Sequence, residues 1–216
     1  MKTIYSISKH EASDEQVEKD RLFKVFVLGL PRSGTSLMTS ICQALGVNMI
    51  HTTENKKEEY DKRYKEKFGE YHPNESGFFE IADNFLEHYL EIIDKPYSGC
   101  KMIIPVVGLR LDIIKLIPSK VIMMWRDPKE IKESQEAFYS NDTDEPYLRT
   151  ALATQKVTLE KSGVDFMVCH YEKLVNDPYR EIYSVSDFIL SDKGYKEAVA
   201  LVDPEKHRFR KEEIPA

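Results

Sequence analysis

Cysteine is scarce and odd in number: Cys42, Cys100 and Cys169 lie far apart and outside any metal-ligand spacing. That excludes a disulfide framework or a zinc site as the organiser of the fold, and fits reduced thiols in an intracellular compartment. Long apolar runs are missing too. No stretch approaches the roughly 18 apolar residues of a membrane span, and the N-terminus MKTIYSISKHEASDEQVEKD has neither an apolar core nor a small-residue cleavage site. The expectation is a soluble, cytoplasmic protein with no membrane span. An excess of positive charge is also lacking: 31 Lys and Arg against 37 Asp and Glu give a net charge of −6. Such a surface repels polyanions, so no nucleic acid is expected as a partner. Internal repeats and low-complexity segments are absent. What is present is 216 residues, 41% hydrophobic and 11% aromatic, enough for a single compact domain over 1–216.

Along the chain, residues 1–20 read as a loose polar arm, and Lys24 to Leu28 (KVFVL) as a short buried strand. The loop GLPRSGTS follows, and then a helix in which Leu37, Ile41, Ala44 and Leu45 recur at helical spacing until Gly46 ends it. Residues 51–73 form a polar insertion rich in charge and tyrosine, without an apolar stripe. Asp83 is a candidate N-cap for a helix through Ile93. Further strands are expected at Lys101 to Ile104, Lys120 to Trp125 and Asp165 to His170. They alternate with helical patterns at Leu109 to Ile117, Lys129 to Tyr139 and Tyr147 to Lys161. Helices from Pro178 through Leu190 and from Tyr195 to Val202 precede a charged tail. Alternation of this kind predicts an α/β fold around a central parallel sheet of about four or five strands; with GLPRSGTS between its first strand and helix, the expected domain is three-layer and P-loop NTPase-like.

Gly29 to Ser36 reads GxxxxGTS between a strand and a helix. In that context backbone N–H groups and the helix N-terminus form an anion cradle. A nucleoside-triphosphatase loop carries lysine where this chain has Thr35. The cation sits instead at Arg32, inside the loop. Arg126, Asp127 and Pro128 follow the strand VIMMW, and Ser134 stands eight residues after Arg126.

These residues resemble the PAPS-dependent sulfotransferase family. LPRSGTSLM is similar to its P(K/R)SGTT loop, which cradles the 5′-phosphosulfate of 3′-phosphoadenosine-5′-phosphosulfate (PAPS). The resemblance implies that Arg32, Ser33, Gly34, Thr35, Ser36 and Leu37 bind the donor there, and that Arg126 and Ser134 grip its 3′-phosphate. YEKLVNDP at Tyr171 to Pro178 resembles the YEDLxxDP segment, which would lay Tyr171 against the adenine; a strand-end tyrosine at the surface reads equally well. Lys101 to Pro105 (KMIIP) aligns with a KxxxP segment whose lysine approaches the sulfuryl oxygens, making Lys101, with Arg32, a candidate electrostatic catalyst. A lysine snorkelling from a strand start is the alternative.

The match departs from the family in two places. The histidine base of the small-molecule members is replaced by Ile103, and the glycine-bearing RKG segment has no counterpart in KHRFRKEEIPA, where Arg208, Arg210 and Lys211 stand as substitutes or as a solvated tail. NESGFFE at Asn74 to Glu80 looks like the NPxGxxE segment of bacterial members, which makes Glu80 the candidate general base. Its alternative role is to complement the start of a helix. The resemblance implies a sulfotransferase that moves the sulfuryl group from PAPS to a hydroxyl or amine of a small-molecule, carbohydrate or lipid acceptor, yields 3′,5′-ADP (PAP), and needs no metal. The rivals are a P-loop kinase or NTPase with a degenerate loop, with Asp127 as magnesium ligand, and a non-catalytic nucleotide-binding protein.

Overall fold

The computed structural model describes residues 23–50, 62, 66, 92, 94–103, 111, 114–139 and 144–204. Glu80, the bulk of the 51–73 insertion, residues 1–20, nearly all of the helix expected from Asp83, Ile104 and Pro105, and Arg208, Arg210 and Lys211 lie outside the described residues.

Five strands, β1 (Lys24–Gly29), β2 (Asn48–Met49), β3 (Ser98–Ile103), β4 (Ser119–Trp125) and β5 (Asp165–His170), form one sheet in the order β2-β3-β1-β4-β5. Every pairing is parallel. The described helices are α1 (Thr35–Ala44), α2 (Pro128–Tyr139), α3 (Glu145–Ser162), α4 (Tyr171–Asn176), α5 (Pro178–Phe188) and α6 (Tyr195–Ala200). Alternation along β1 explains the layering, because successive side chains leave opposite faces of a strand. Val25 and Val27 pack with Met38, Ile41 and Leu45 of the α1 layer, together with Leu174, Ile182, Val185 and Ala198 from α4, α5 and α6. Phe26 and Leu28 pack on the other side with Ile131, Leu148, Leu152 and Leu159 of α2 and α3. Both sheet faces are therefore covered, as an all-parallel sheet requires.

The four strands expected from sequence are all present. Ser98 to Cys100 extend β3 toward its N-terminus, and β2 is a short addition that joins the sheet only through Asn48 and Met49. β1 lies between β3 and β4, so the connections on its two sides run in opposite directions. The carboxyl ends of the strands at this switch of order are where open α/β sheets bind ligands.

Candidate functional site: an anion cradle at the carboxyl ends of the strands

The loop after β1 is shaped by a tight turn. Ser33 N–H donates to Leu30 O at 3.1 Å, with Pro31 and Arg32 at the corner and Arg32 at φ 70°. Proline presets the first corner position, whereas the second needs the left-handed region that usually calls for glycine. Arg32 adopts it at a cost of about 1–3 kcal/mol, and contacts from neighbouring elements hold it there. Gln135 Nε2 donates to Pro31 O at 2.9 Å, and Arg126 Nη1 donates to Arg32 O at 3.0 Å. Gly34 then enters α1 at φ 94° as its N-cap. A Cβ at Gly34 would overlap the Tyr171 ring, so this glycine is demanded by conformation and space together.

The N-terminus of α1 is electrostatically bare. No acidic residue lies in its first turn, which leaves the positive end of the helix dipole without a competing carboxylate. Its first N–H groups, at Thr35, Ser36 and Leu37, have no intrahelical partner to serve, as at the start of any helix. The Ser33 N–H is spent in the turn, but its hydroxyl is fully buried and has no hydrogen-bond partner among the described residues. Hydrogen-bonding capacity is thus held in reserve inside the loop, which fits an anion seat.

Cations flank this cradle on two sides. On β3, Lys101 points to the α1 face and donates from Nζ to Ser36 Oγ at 3.1 Å; the residue is buried. At the end of β4, Arg126 is 7% exposed and held by three groups. Nε donates to Glu130 Oε2 at 2.9 Å, Nη1 donates to Arg32 O, and the guanidinium carbon sits 4.5 Å from the centre of the Tyr171 ring. Beside it, Arg32 Nε donates to the buried Ser134 hydroxyl at 3.1 Å. The Arg32 side chain therefore lies with Ser134 and the Arg32 carbonyl with Arg126, and Lys101 is the cation at the Ser36 end.

The sequence-marked residues Arg32, Ser33, Gly34, Thr35, Ser36, Leu37, Lys101, Arg126, Ser134 and Tyr171 thus converge from β1, α1, β3, β4, α2 and α4. Tyr171 starts a short helix rather than closing a strand, and its ring lies over Gly34 and under Arg126. Behind it, burial and the nearby Lys173 charge hold the His170 imidazole below its ordinary range. Glu130, Gln135 and the Ser33 hydroxyl were not marked as partners by sequence reasoning. A carboxylate four residues after Arg126 on a helix start was the available signal for Glu130; none existed for Gln135, which meets Pro31 across 104 positions. Asp127, the acid a magnesium-dependent rival requires, caps α2 instead: its Oδ1 accepts from Lys129 N–H at 2.9 Å.

A parallel sheet ordered in this way, with a glycine loop feeding a helix at its switch point, defines a P-loop-type α/β fold. Residues 24–204 match the model of the sulfotransferase domain family, and the chain belongs to that family. Mouse sulfotransferase SULT7A1, solved in complex with PAP, superposes with a TM-score of 0.53 at 13% identity, covering 89% of this chain and 68% of that one. Sulfotransferase STF9 from Mycobacterium avium gives 0.52 at 11% identity, covering 92% and 71%. A shikimate kinase from Bacteroides thetaiotaomicron gives 0.49 at 11% identity, covering 78% and 98%. No curated protein matches the sequence significantly.

Proposed function

We propose that the protein is a PAPS-dependent sulfotransferase, transferring the sulfuryl group to a hydroxyl or amine of a small-molecule, carbohydrate or lipid acceptor and yielding 3′,5′-ADP. The observation that carries this reading is the state of Arg126. Its guanidinium is fixed by Glu130, Arg32 O and the Tyr171 ring, while Nη2 makes no hydrogen bond among the described residues. A buried arginine locked in orientation with one nitrogen left over suits a phosphate group, and the Ser134 hydroxyl is held by the side chain of Arg32, whose own carbonyl Arg126 grips. Arg126 and Lys101 flank the α1 cradle on two sides, so the site suits a nucleotide carrying more than one anionic group. The PAP bound by the mouse neighbour has that character. Thr35 in place of the loop lysine and the engagement of Asp127 in capping weigh against the kinase reading.

In this reading Thr35, Ser36 and Leu37 N–H groups and the Ser33 hydroxyl hold the 5′-phosphosulfate. Arg126 and Ser134 hold the 3′-phosphate, and Tyr171 borders the adenine. The donor supplies an activated sulfuryl group. Lys101 and Arg32 offset negative charge gathering on the sulfuryl and bridging oxygens as the acceptor attacks in line, a preorganised electrostatic role. Arg32 releases Ser134 to take part. Glu80, outside the described residues, is the proposed base for the acceptor proton. The proposed compartment is the cytoplasm; among the described residues no helix is long and apolar enough to cross a membrane. The test is turnover of PAPS across an acceptor panel, with Glu80→Gln as the discriminating variant. About 10²-fold slower turnover with donor binding retained supports the assignment. Full binding without turnover in the parent protein would favour the non-catalytic rival.

A further inference from the structure

We infer that Glu130 sets how tightly the Arg126 pocket holds its phosphate, as a positioning residue acting through Arg126; the inference rests on the 3′-phosphate reading above. Glu130 is the acidic residue of the first turn of α2, and its side chain is 5% exposed against 7% for Arg126, with 2.9 Å between Oε2 and Nε. Attraction for an anion alone does not explain a buried carboxylate at that spot, because it repels the incoming charge.

Two physical effects account for it. Before ligand arrives, an arginine this buried is costly unless its charge is balanced, and Glu130 balances it. The carboxylate also ties down Nε, which leaves Nη2 as the guanidinium nitrogen without a hydrogen bond among the described residues. With Nη1 held by Arg32 O and the ring face on Tyr171, the group has no freedom to turn. When a phosphate takes Nη2, the guanidinium is shared between two anions. Orientation is gained and net attraction is reduced, so a product that carries the 3′-phosphate is held firmly in register yet leaves readily.

Glu130→Gln keeps an oxygen for Nε and removes the charge. Calorimetric titration at fixed ionic strength should show 3′,5′-ADP bound about tenfold tighter than by the parent protein, with the gain appearing as slower dissociation in stopped flow. Binding of 5′-AMP, which has no 3′-phosphate, should be unchanged, and the ligand-free melting temperature should fall. Glu130→Asp, which retains the charge but withdraws it from Nε, should not tighten binding. A merely structural role predicts weaker binding of both nucleotides. Should Glu130→Gln not fold, Glu130→Met removes the same charge with a side chain suited to burial and is read in the same way. Unchanged or weakened 3′,5′-ADP binding, or equal tightening of 5′-AMP, overturns the proposal. A parent protein that binds both nucleotides alike shows instead that the 3′-phosphate reading itself is wrong, and the inference falls with it.

Discussion

Arg126 and Lys101 are both buried cations at the mouth of the sheet, but their partners divide the work between them. Arg126 is braced to bind, so Arg126→Ala should weaken 3′,5′-ADP binding by about 30-fold or more, the usual loss when one partner of a buried charged pair is truncated. Lys101 stands at the Ser36 end, where charge would develop. Lys101→Ala should lower kcat by about 10²-fold, as loss of one preorganised donor does, with little change in 3′,5′-ADP affinity. Calorimetry and steady-state kinetics on the two variants check this split; the same loss in both quantities for both variants would contradict it. Arg126, Ser134 and the loop were legible in the sequence because each follows a strand end at a recognisable spacing, and Lys101 because KMIIP resembles a KxxxP segment. The Arg32 to Ser134 bond and the Gln135 hold on Pro31 were not, since they join positions about one hundred residues apart in sequence.

The junction of the loop with α1 depends on a backbone position that admits only glycine. Gly34→Ala places a methyl group at φ 94° against the Tyr171 ring. The variant should lose about 1–3 kcal/mol of stability and most of its nucleotide binding, measured by thermal unfolding with and without 3′,5′-ADP. Wild-type melting and binding would show that the junction tolerates other geometry. The long elements were readable because their apolar periods run over enough residues: β1, β4, β5, α2, α3 and α5 stand within a few residues of where periodicity put them. β2, with two residues, and α4, with six, are too short to show a period. They form because β3 offers an open edge to Asn48 and Met49 and because Leu174 and Val175 find the core beneath α4.

Across the molecule, two covered sheet faces put all three cysteines out of reach. Burial pushes the Cys169 thiol up to about 12 and raises Cys42 and Cys100 as well. A thiol reagent near neutral pH should label none of them until the protein unfolds; rapid labelling of the native protein would contradict the packing. His170 gives the pH response. Because its folded pKa lies below the ordinary 6.5, the unfolded chain takes up the proton first as pH falls. Its contribution to stability is intact above the unfolded value and is lost as pH drops through the folded one. An NMR titration should place the His170 midpoint below 6.5; a midpoint above it would contradict the assigned environment. The net charge of −6 repels an anionic nucleotide at long range, so the proposed donor binding depends on the local cations Arg32, Lys101 and Arg126. The most direct test is thermal unfolding with 3′,5′-ADP, with 5′-AMP, and with ATP with and without magnesium. At a concentration of about 100 times its Kd, 3′,5′-ADP should add about 2.7 kcal/mol and raise the Tm by several degrees, with 5′-AMP far weaker. Stabilisation by magnesium-ATP alone would contradict the sulfotransferase account and favour a kinase.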